Sequence, residues 1–407
     1  MDGQTPPETP SFEAPDGAPD FDEVIERRGT HCMKWDGMEA YTGVSPADGL
    51  AMWVADMEFR PPAVVQRAVE AMAAHGVYGY WGDDRDYLGA IRWWMEARHG
   101  WSPAPEAILT THGLVNGVGL AVEAWTQPGD AVVLFTPVYH AFARVIRAAG
   151  REVRELPLRR DGERYVMDFG AYEALMTGRE RMVILCSPHN PGGRVWSPAE
   201  LEAVAEFARR HDLVLVSDEI HCDLVMPGHR HTAMARVEGI EDRLVMMTAT
   251  TKTFNIAGAH IGNVIIPDAR LRAPFQARMN ALGISPNAFG TAMATAACSP
   301  EGAAWVDALV AYLDGNRRLL DEGLHAIPGV RSMPLEATYL AWVDLGGLGM
   351  SEEEVMRRVA QDARVGVNRG PAFGTGGEGF VRINVAAPRA TVAEAVARLQ
   401  AAFADEQ

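Results

Sequence analysis

Three polar signals in this chain follow short apolar runs, and together they are suited to imine chemistry. Cys186-Ser-Pro-His-Asn190-Pro-Gly-Gly comes after Met182–Leu185, Asp218-Glu-Ile-His221 after Leu213–Val216, and Thr250-Thr-Lys252-Thr-Phe-Asn after Leu244–Thr248. Lys252 is flanked by threonines and apolar residues with no acid beside it, the setting in which an amine sheds enough charge to form a Schiff base. A carboxylate such as Asp218 can keep a pyridine-type nitrogen protonated, and an amide such as Asn190 can hydrogen-bond a phenolic oxygen on the same ring. Hydroxyls beside the lysine can hold a phosphate. Residue types alone leave the other reading open, in which Lys252 is a surface lysine and Asp218 caps a strand.

Convergence of these groups requires strands that end on one rim. The runs Ala131–Thr136, Met182–Cys186, Leu213–Ser217, Leu244–Thr248 and Asn263–Ile266 are rich in Val, Ile and Leu without strict alternation, as expected for strands covered on both faces. Between the second and third, Ser197-Pro-Ala-Glu200 is a capping box with proline at the first helical position, opening a helix through Arg210. Pro62 to His75 places Val64, Val65, Ala68, Val69 and Met72 on one helical face, with Gly76 as the stop. Strand, helix, strand predicts a mainly parallel α/β sheet, whose carboxyl rim is where ligands bind. The last hundred residues read as a smaller α+β domain. Ser351-Glu-Glu-Glu354 and Thr391-Val-Ala-Glu394 are two further capping boxes, and Tyr339–Asp344 and Phe380–Val385 are strand candidates. The expected organisation is a flexible tail over 1–20, an N-terminal segment over 21–61 joining the small domain, a large domain over 62–295 and a small one over 296–407.

Composition narrows the class. The 407 residues are 48% hydrophobic and 22% charged, ordinary globular usage, so a wholly disordered or fibrous chain is excluded. Residues 1–20 carry five prolines, five acids and no Lys or Arg, which is the basis for the tail. The net charge of −17 argues against nucleic-acid or anionic-membrane surfaces, so an anionic ligand needs a local pocket. No apolar run approaches the roughly 18 residues of a membrane span. The four cysteines form no CxxC pair and are too sparse for a disulfide framework, which favours a cytoplasmic enzyme.

A collinear set of segments carries a more specific signal. Met52-Trp53-Val-Ala55-Asp-Met-Glu-Phe, Tyr78-Gly-Tyr80, Phe135-Thr-Pro-Val-Tyr139, Ser187-Pro-His-Asn-Pro-Gly-Gly, Ser217-Asp-Glu-Ile-His221, Thr251-Lys-Thr-Phe-Asn-Ile-Ala-Gly258 and Gly379-Phe-Val-Arg382-Ile-Asn occur in that order. This set resembles fold-type I pyridoxal-phosphate enzymes of the aminotransferase class I/II superfamily, and within it the cystathionine β-lyase branch of MalY/PatB type. The resemblance runs from about residue 20 to the C-terminus. It implies a large domain with a seven-stranded-type sheet, pyridoxal 5′-phosphate as cofactor and Lys252 as its Schiff-base lysine. It implies Asp218 as partner of the pyridine nitrogen, Asn190 at the phenolic oxygen with His221 beside it, and Tyr139 stacking on the ring. Gly113, Leu114 and Val115 match the helix N-terminus that cradles the phosphate, where exposed amides favour an anion, and Thr250 and Thr251 add hydroxyls. Arg382 matches the arginine that grips the substrate carboxylate, with Asn190, Trp53 and Ala55 also on the substrate side. Tyr80 matches a tyrosine that reaches the neighbouring subunit's phosphate, implying a homodimer acting on a small amino acid.

The implied activity is β-elimination from cystathionine or a related cysteine S-conjugate, giving pyruvate, ammonia and a thiol. The alternatives are an aminotransferase with the same cofactor machinery, a non-catalytic regulatory homologue and a metal-dependent hydrolase. There are departures from the family pattern. His260 stands where an arginine eight residues after the lysine binds phosphate in aminotransferases of this fold, and His221 replaces a tyrosine, in agreement with the lyase branch. Gly283-Ile-Ser-Pro-Asn-Ala-Phe and Val367-Asn-Arg-Gly-Pro also differ from the expected forms. Gly374-Thr-Gly376-Gly-Glu-Gly379 fits GxGxxG but leads into a strand-like run, so it reads as a turn and not a dinucleotide site. His221, Cys222, Asp223, His229 and His231 lack the spacing of a zinc motif and are set aside as ligands.

Overall fold

A computed structural model describes residues 19–404, so the expected tail over 1–20 falls almost wholly outside the described residues. The apolar runs become the centre of a seven-stranded sheet: β1 (Ile108–Thr111), β2 (Ala131–Thr136), β3 (Glu152–Pro157), β4 (Glu180–Cys186), β5 (Val214–Asp218), β6 (Leu244–Thr248) and β7 (Gly262–Ile265). Their order is β1-β7-β6-β5-β4-β2-β3, parallel throughout except for β7, which runs antiparallel to both its neighbours. Consequently β1, β2, β4, β5 and β6 all end on the same rim. Strands β2 and β6 are buried at every position, which is why they show no alternation in sequence. β3 is one of the two edge strands, with Glu152 exposed and Glu155 half-buried.

The helices that cover this sheet begin where local chemistry starts them. Helix α1 spans Ala63–His75 and stops at Gly76, whose φ of +73° is the left-handed conformation that glycine reaches without steric cost. Next come α2 (Arg85–His99), α3 (Leu114–Trp125), α4 (His140–Ala148) and α5 (Pro198–Arg210). The predicted capping box on α5 is present in both directions: Glu200 N–H donates to Ser197 Oγ and Ser197 N–H to Glu200 Oε2. The box predicted at Ser351 is only half formed, because the Glu354 carboxylate turns to Arg357 and Arg358 instead of reaching back. The one at Thr391 is absent. Pro388, with φ fixed at −48°, occupies the cap, so the helix Arg389–Ala402 starts three residues earlier and Thr391 falls inside its first turn.

A second, four-stranded antiparallel sheet contains β8 (Arg331–Ser332), β9 (Leu340–Asp344), β10 (Asn368–Arg369) and β11 (Phe380–Asn384), in the order β8-β9-β11-β10. Register places Trp342 of β9 and Asn368 of β10 on either side of Arg382. The segment before residue 62 is stitched to this sheet: Leu50–Ala51 pairs in parallel with Val365–Gly366, and Asn384 N–H donates to Met52 O. Gly374–Gly379 forms turns leading into β11, as its sequence predicts. Among the described residues no helix is long and apolar enough to cross a membrane.

Candidate active site

Lys252 lies on a four-residue helix, α6 (Thr250–Thr253), directly after β6. Its Nζ donates to the carbonyl of Ala55 at 2.5 Å, a contact across 197 positions of sequence. Asn255 makes that contact possible: its side chain bonds Met57 N–H, Met57 O and Phe59 O, pinning the N-terminal segment over the lysine. Burial lowers the Lys252 pKa to about 8; Arg382 pushes the same way, while Asp56 and Asp218 oppose it. The amine is therefore neutral in a substantial fraction of molecules slightly above neutral pH.

Asp218 ends β5 and is 5% exposed. Its carboxyl accepts one hydrogen bond, from Ile220 N–H at 3.1 Å, and burial raises its pKa to about 7. A carboxylate so poorly partnered is suited to meeting a cation. On the neighbouring strand Cys186 lies opposite Asp218, and Asn190 follows four residues later. Asn190 Oδ1 accepts from Arg382 Nη1 at 3.0 Å.

Arg382 is 3% exposed at the middle of β11. Its other hydrogen bonds go to Trp53 O at 3.1 Å and Asn368 Oδ1 at 2.7 Å, and its guanidinium carbon sits 4.9 Å from the centre of the Phe373 ring. No carboxylate pairs with it among the described residues, and Nε has no partner there. Burial alone pulls its pKa down to about 10. A buried guanidinium without a counter-ion is costly unless an anion arrives.

The rim also presents sites for a phosphorylated ring. Gly113 (φ +87°) caps α3 with no side-chain acceptor, and nothing stands within 4 Å of where its Cβ would lie, so the amides of Leu114 and Val115 begin an open helix end. Topology puts this end beside Thr250 and Thr251, since β1 and β6 finish on the same rim two strands apart. Thr250 Oγ1 and His221 Nδ1 are buried without a hydrogen-bond partner among the described residues. Burial lowers the His221 pKa to about 3, and its ring meets Tyr339 edge-on at 5.9 Å. Tyr139 is half-buried at the start of α4. These orphaned donors, the under-partnered carboxyl and the lysine fit pyridoxal 5′-phosphate. Tyr80 alone among the expected residues projects away, at 103% exposure, with Val77 at 70% and Tyr78 at 60% beside it. His260 is exposed at φ +47°.

Residues 54–399 match the aminotransferase class I and II family, and the chain belongs to it. It is 38% identical to cystathionine beta-lyase PatB of Bacillus subtilis over 387 residues, covering 94% of this chain and 99% of that protein. It is 30% identical to the protein MalY of Escherichia coli over 385 residues, covering 93% and 97%. The crystal structure of cystalysin from Treponema denticola, which contains a pyridoxal 5′-phosphate cofactor, matches with a TM-score of 0.91 at 34% identity, over 95% of this chain and 99% of that one.

Several neighbours of the site escaped the sequence reading. Tyr339 donates to Ala55 O at 3.0 Å, beside the lysine, and Asn384 holds Val54 O and Asp56 O. Asn368 stood in a segment marked only as departing from the family pattern; it turns out to accept from Arg382. Lys34, 1% exposed, bonds Asp56 O and pairs with Glu58 at 2.8 Å, which fixes the Ala55 turn from behind. In the histidine-rich stretch, His221, Cys222 and Asp223 lie in a turn, and Asp223 meets His99 of α2, so that His99, Cys222 and Asp223 bring ligand-capable atoms within 4.8 Å. Both Asp223 oxygens already accept hydrogen bonds, from Trp94, His99 and Thr253.

Proposed function

We propose that the chain is a pyridoxal-phosphate-dependent carbon–sulfur β-lyase, cleaving cystathionine or related cysteine S-conjugates, with the site residues in the following roles. The observation that carries it is the meeting, at one rim, of an amine with lowered proton affinity, a protonatable buried carboxyl and a buried guanidinium lacking a counter-ion. When bound, the cofactor supplies an aldehyde for amine exchange and a ring that accepts the electron pair left at the substrate's α-carbon.

Lys252 Nζ would tether the cofactor and serve as general base for the substrate's α-proton, its proton affinity lowered by burial. Asp218 keeps a proton on the pyridine nitrogen. Asn190 would donate to the phenolic oxygen while accepting from Arg382, so one coupled pair would position both ring and carboxylate. Arg382 would donate paired N–H hydrogen bonds to the α-carboxylate, orienting the α C–H toward the lysine. The amides at Gly113–Val115 with Thr250 and Thr251 would hold the phosphate, and Tyr139 would flank the ring. A thiolate is a competent leaving group because free thiols ionise near pH 8.5; with one water consumed, the products balance as pyruvate, ammonium and thiol. The exposed Val77–Tyr80 stretch supports a homodimer in which Tyr80 completes the partner's site. Four free cysteines suit a cytoplasmic location.

Incubation of the holoenzyme with cystathionine or S-methylcysteine is the direct test. Pyruvate and thiol should appear in equal amounts with no keto acid added; turnover that requires a keto acid would identify an aminotransferase instead. Arg382→Ala should lower kcat/KM about 100-fold for substrates with a free α-carboxylate, chiefly through KM, because two charge-assisted hydrogen bonds are lost. An unchanged KM in steady-state assays would place the carboxylate anchor elsewhere.

A further inference from the structure

The helix that carries Lys252 is only four residues long, and so short a helix cannot hold its own geometry in isolation, since nucleation outweighs the gain of a single turn. Its shape must be imposed from outside. From the solvent side Lys252 itself reaches Ala55 O, and Asn255 ties down the same segment. From the opposite side there is a second attachment that the chemistry assigned above does not use. Thr253, the residue after the lysine and 0% exposed, donates its Oγ1 hydrogen to Asp223 Oδ2 at 2.8 Å.

Asp223 is in turn held by α2. Trp94 Nε1 donates to its Oδ1 at 2.9 Å, and His99 Nε2 lies 2.8 Å from the same oxygen. With side chains 4% and 5% exposed, His99 and Asp223 form a buried pair whose cost is met only by complete hydrogen bonding. A parallel arrangement stands next to it. Glu219, beside Asp218, accepts from Ser217 Oγ and Met234 N–H and meets His231 Nε2, each at 2.8 Å. The His99 and His231 rings pack edge to face at 5.7 Å, which joins the two carboxylate–histidine pairs.

We infer that Asp223 is a positioning residue for Lys252, acting through the Thr253 hydroxyl and anchored by Trp94 and His99. This rests on the reading of Lys252 as the reactive amine. Asp223 lies behind the helix and bonds none of the groups assigned to cofactor or substrate; its effect is to fix the rotation of α6 and hence where Nζ can reach. A displacement of about 1 Å at a reacting group suffices for a large loss of rate.

Thr253→Val removes the hydroxyl while keeping the shape, Thr253→Ser restores it, and Asp223→Asn weakens the acceptor. In the holoenzyme, Thr253→Val should lower kcat for S-methylcysteine about tenfold or more with KM within about twofold. The pH midpoint of the visible band of the lysine-bound cofactor should move by about half a unit. Asp223→Asn should follow Thr253→Val, and Thr253→Ser should recover both parental values. Parental kcat and midpoint in Thr253→Val would overturn the inference, as would a Thr253→Ser protein as impaired as Thr253→Val, since loss of packing alone would then account for the defect. A visible band that survives in Lys252→Ala would instead overturn the underlying assignment of the lysine.

Discussion

Replacement of Lys252 by alanine is expected to leave a folded protein with no visible absorbance band from a lysine-tethered aldehyde and with kcat reduced by about four orders of magnitude. Both losses follow from one atom. The structure places Nζ against the Ala55 carbonyl, and its proton affinity is lowered first by burial and then by the charge of Arg382. Removing a general base from a positioned site costs about 10²–10⁴-fold by itself, and the loss of the tether adds to that. Folding should survive, because among the described residues Lys252 forms no ion pair and gives up one hydrogen bond, while Asn255 continues to bind Met57 and Phe59. Spectra of purified protein reconstituted with pyridoxal 5′-phosphate, with a melting curve as control, decide the matter. A surviving band would move the tether to another lysine.

The contrast between Lys252 and its surroundings shows what a sequence reveals and what it hides. Strands buried on both faces must be apolar at every position, so Ala131–Thr136 and Leu244–Thr248 were readable to the residue. Edge strand β3 was not, because Glu152-Val-Arg-Glu intersperses charge with apolar residues where water reaches one side. Ile108–Thr111 is four residues long and offers no pattern at all. Lys252, Asp218 and Asn190 could be placed together because each stands at or just past the end of a strand, and parallel strands deliver their ends to one rim.

Contacts that depend on long-range register had no such signature. Ala55 O reaches Lys252 only because Asn255 and Lys34 fold the N-terminal segment back, and nothing local in Met52–Phe59 announces that. Arg382 lies against Asn190 through the pairing of β9, β10 and β11, a relation spanning 192 positions. Asp223 is the clearest case. Its spacing from His221 and Cys222 does not make a metal motif, and nothing in sequence shows that its partners Trp94, His99 and Thr253 come from two other helices.

Asp218→Asn is expected to separate function from stability. Without its carboxylate the ring nitrogen loses the group that keeps it protonated, so kcat should fall by orders of magnitude even though Asn still accepts from Ile220 N–H. The cofactor-free protein should behave in the opposite way. Burial raises the Asp218 pKa from 3.8 to about 7 in the folded chain, so the folded state retains a proton that the unfolded state releases. Below the lower value both states are protonated and the group is neutral to stability. As pH rises toward the folded value the unfolded state is increasingly favoured, and above about 7 the full burden applies, on the order of 4 kcal/mol. Asparagine never carries that charge. The melting temperature of cofactor-free Asp218→Asn should therefore exceed that of the parent by several degrees at pH 8, with the gap closing as pH falls toward 4. Adding pyridoxal 5′-phosphate should reverse the order, because a positive nitrogen opposite Asp218 turns an uncompensated carboxylate into a paired one. Equal melting temperatures at pH 8 would mean that water or a neighbouring donor already satisfies Asp218, and the carboxyl would then be too weakly disposed toward a cation for the role assigned to it.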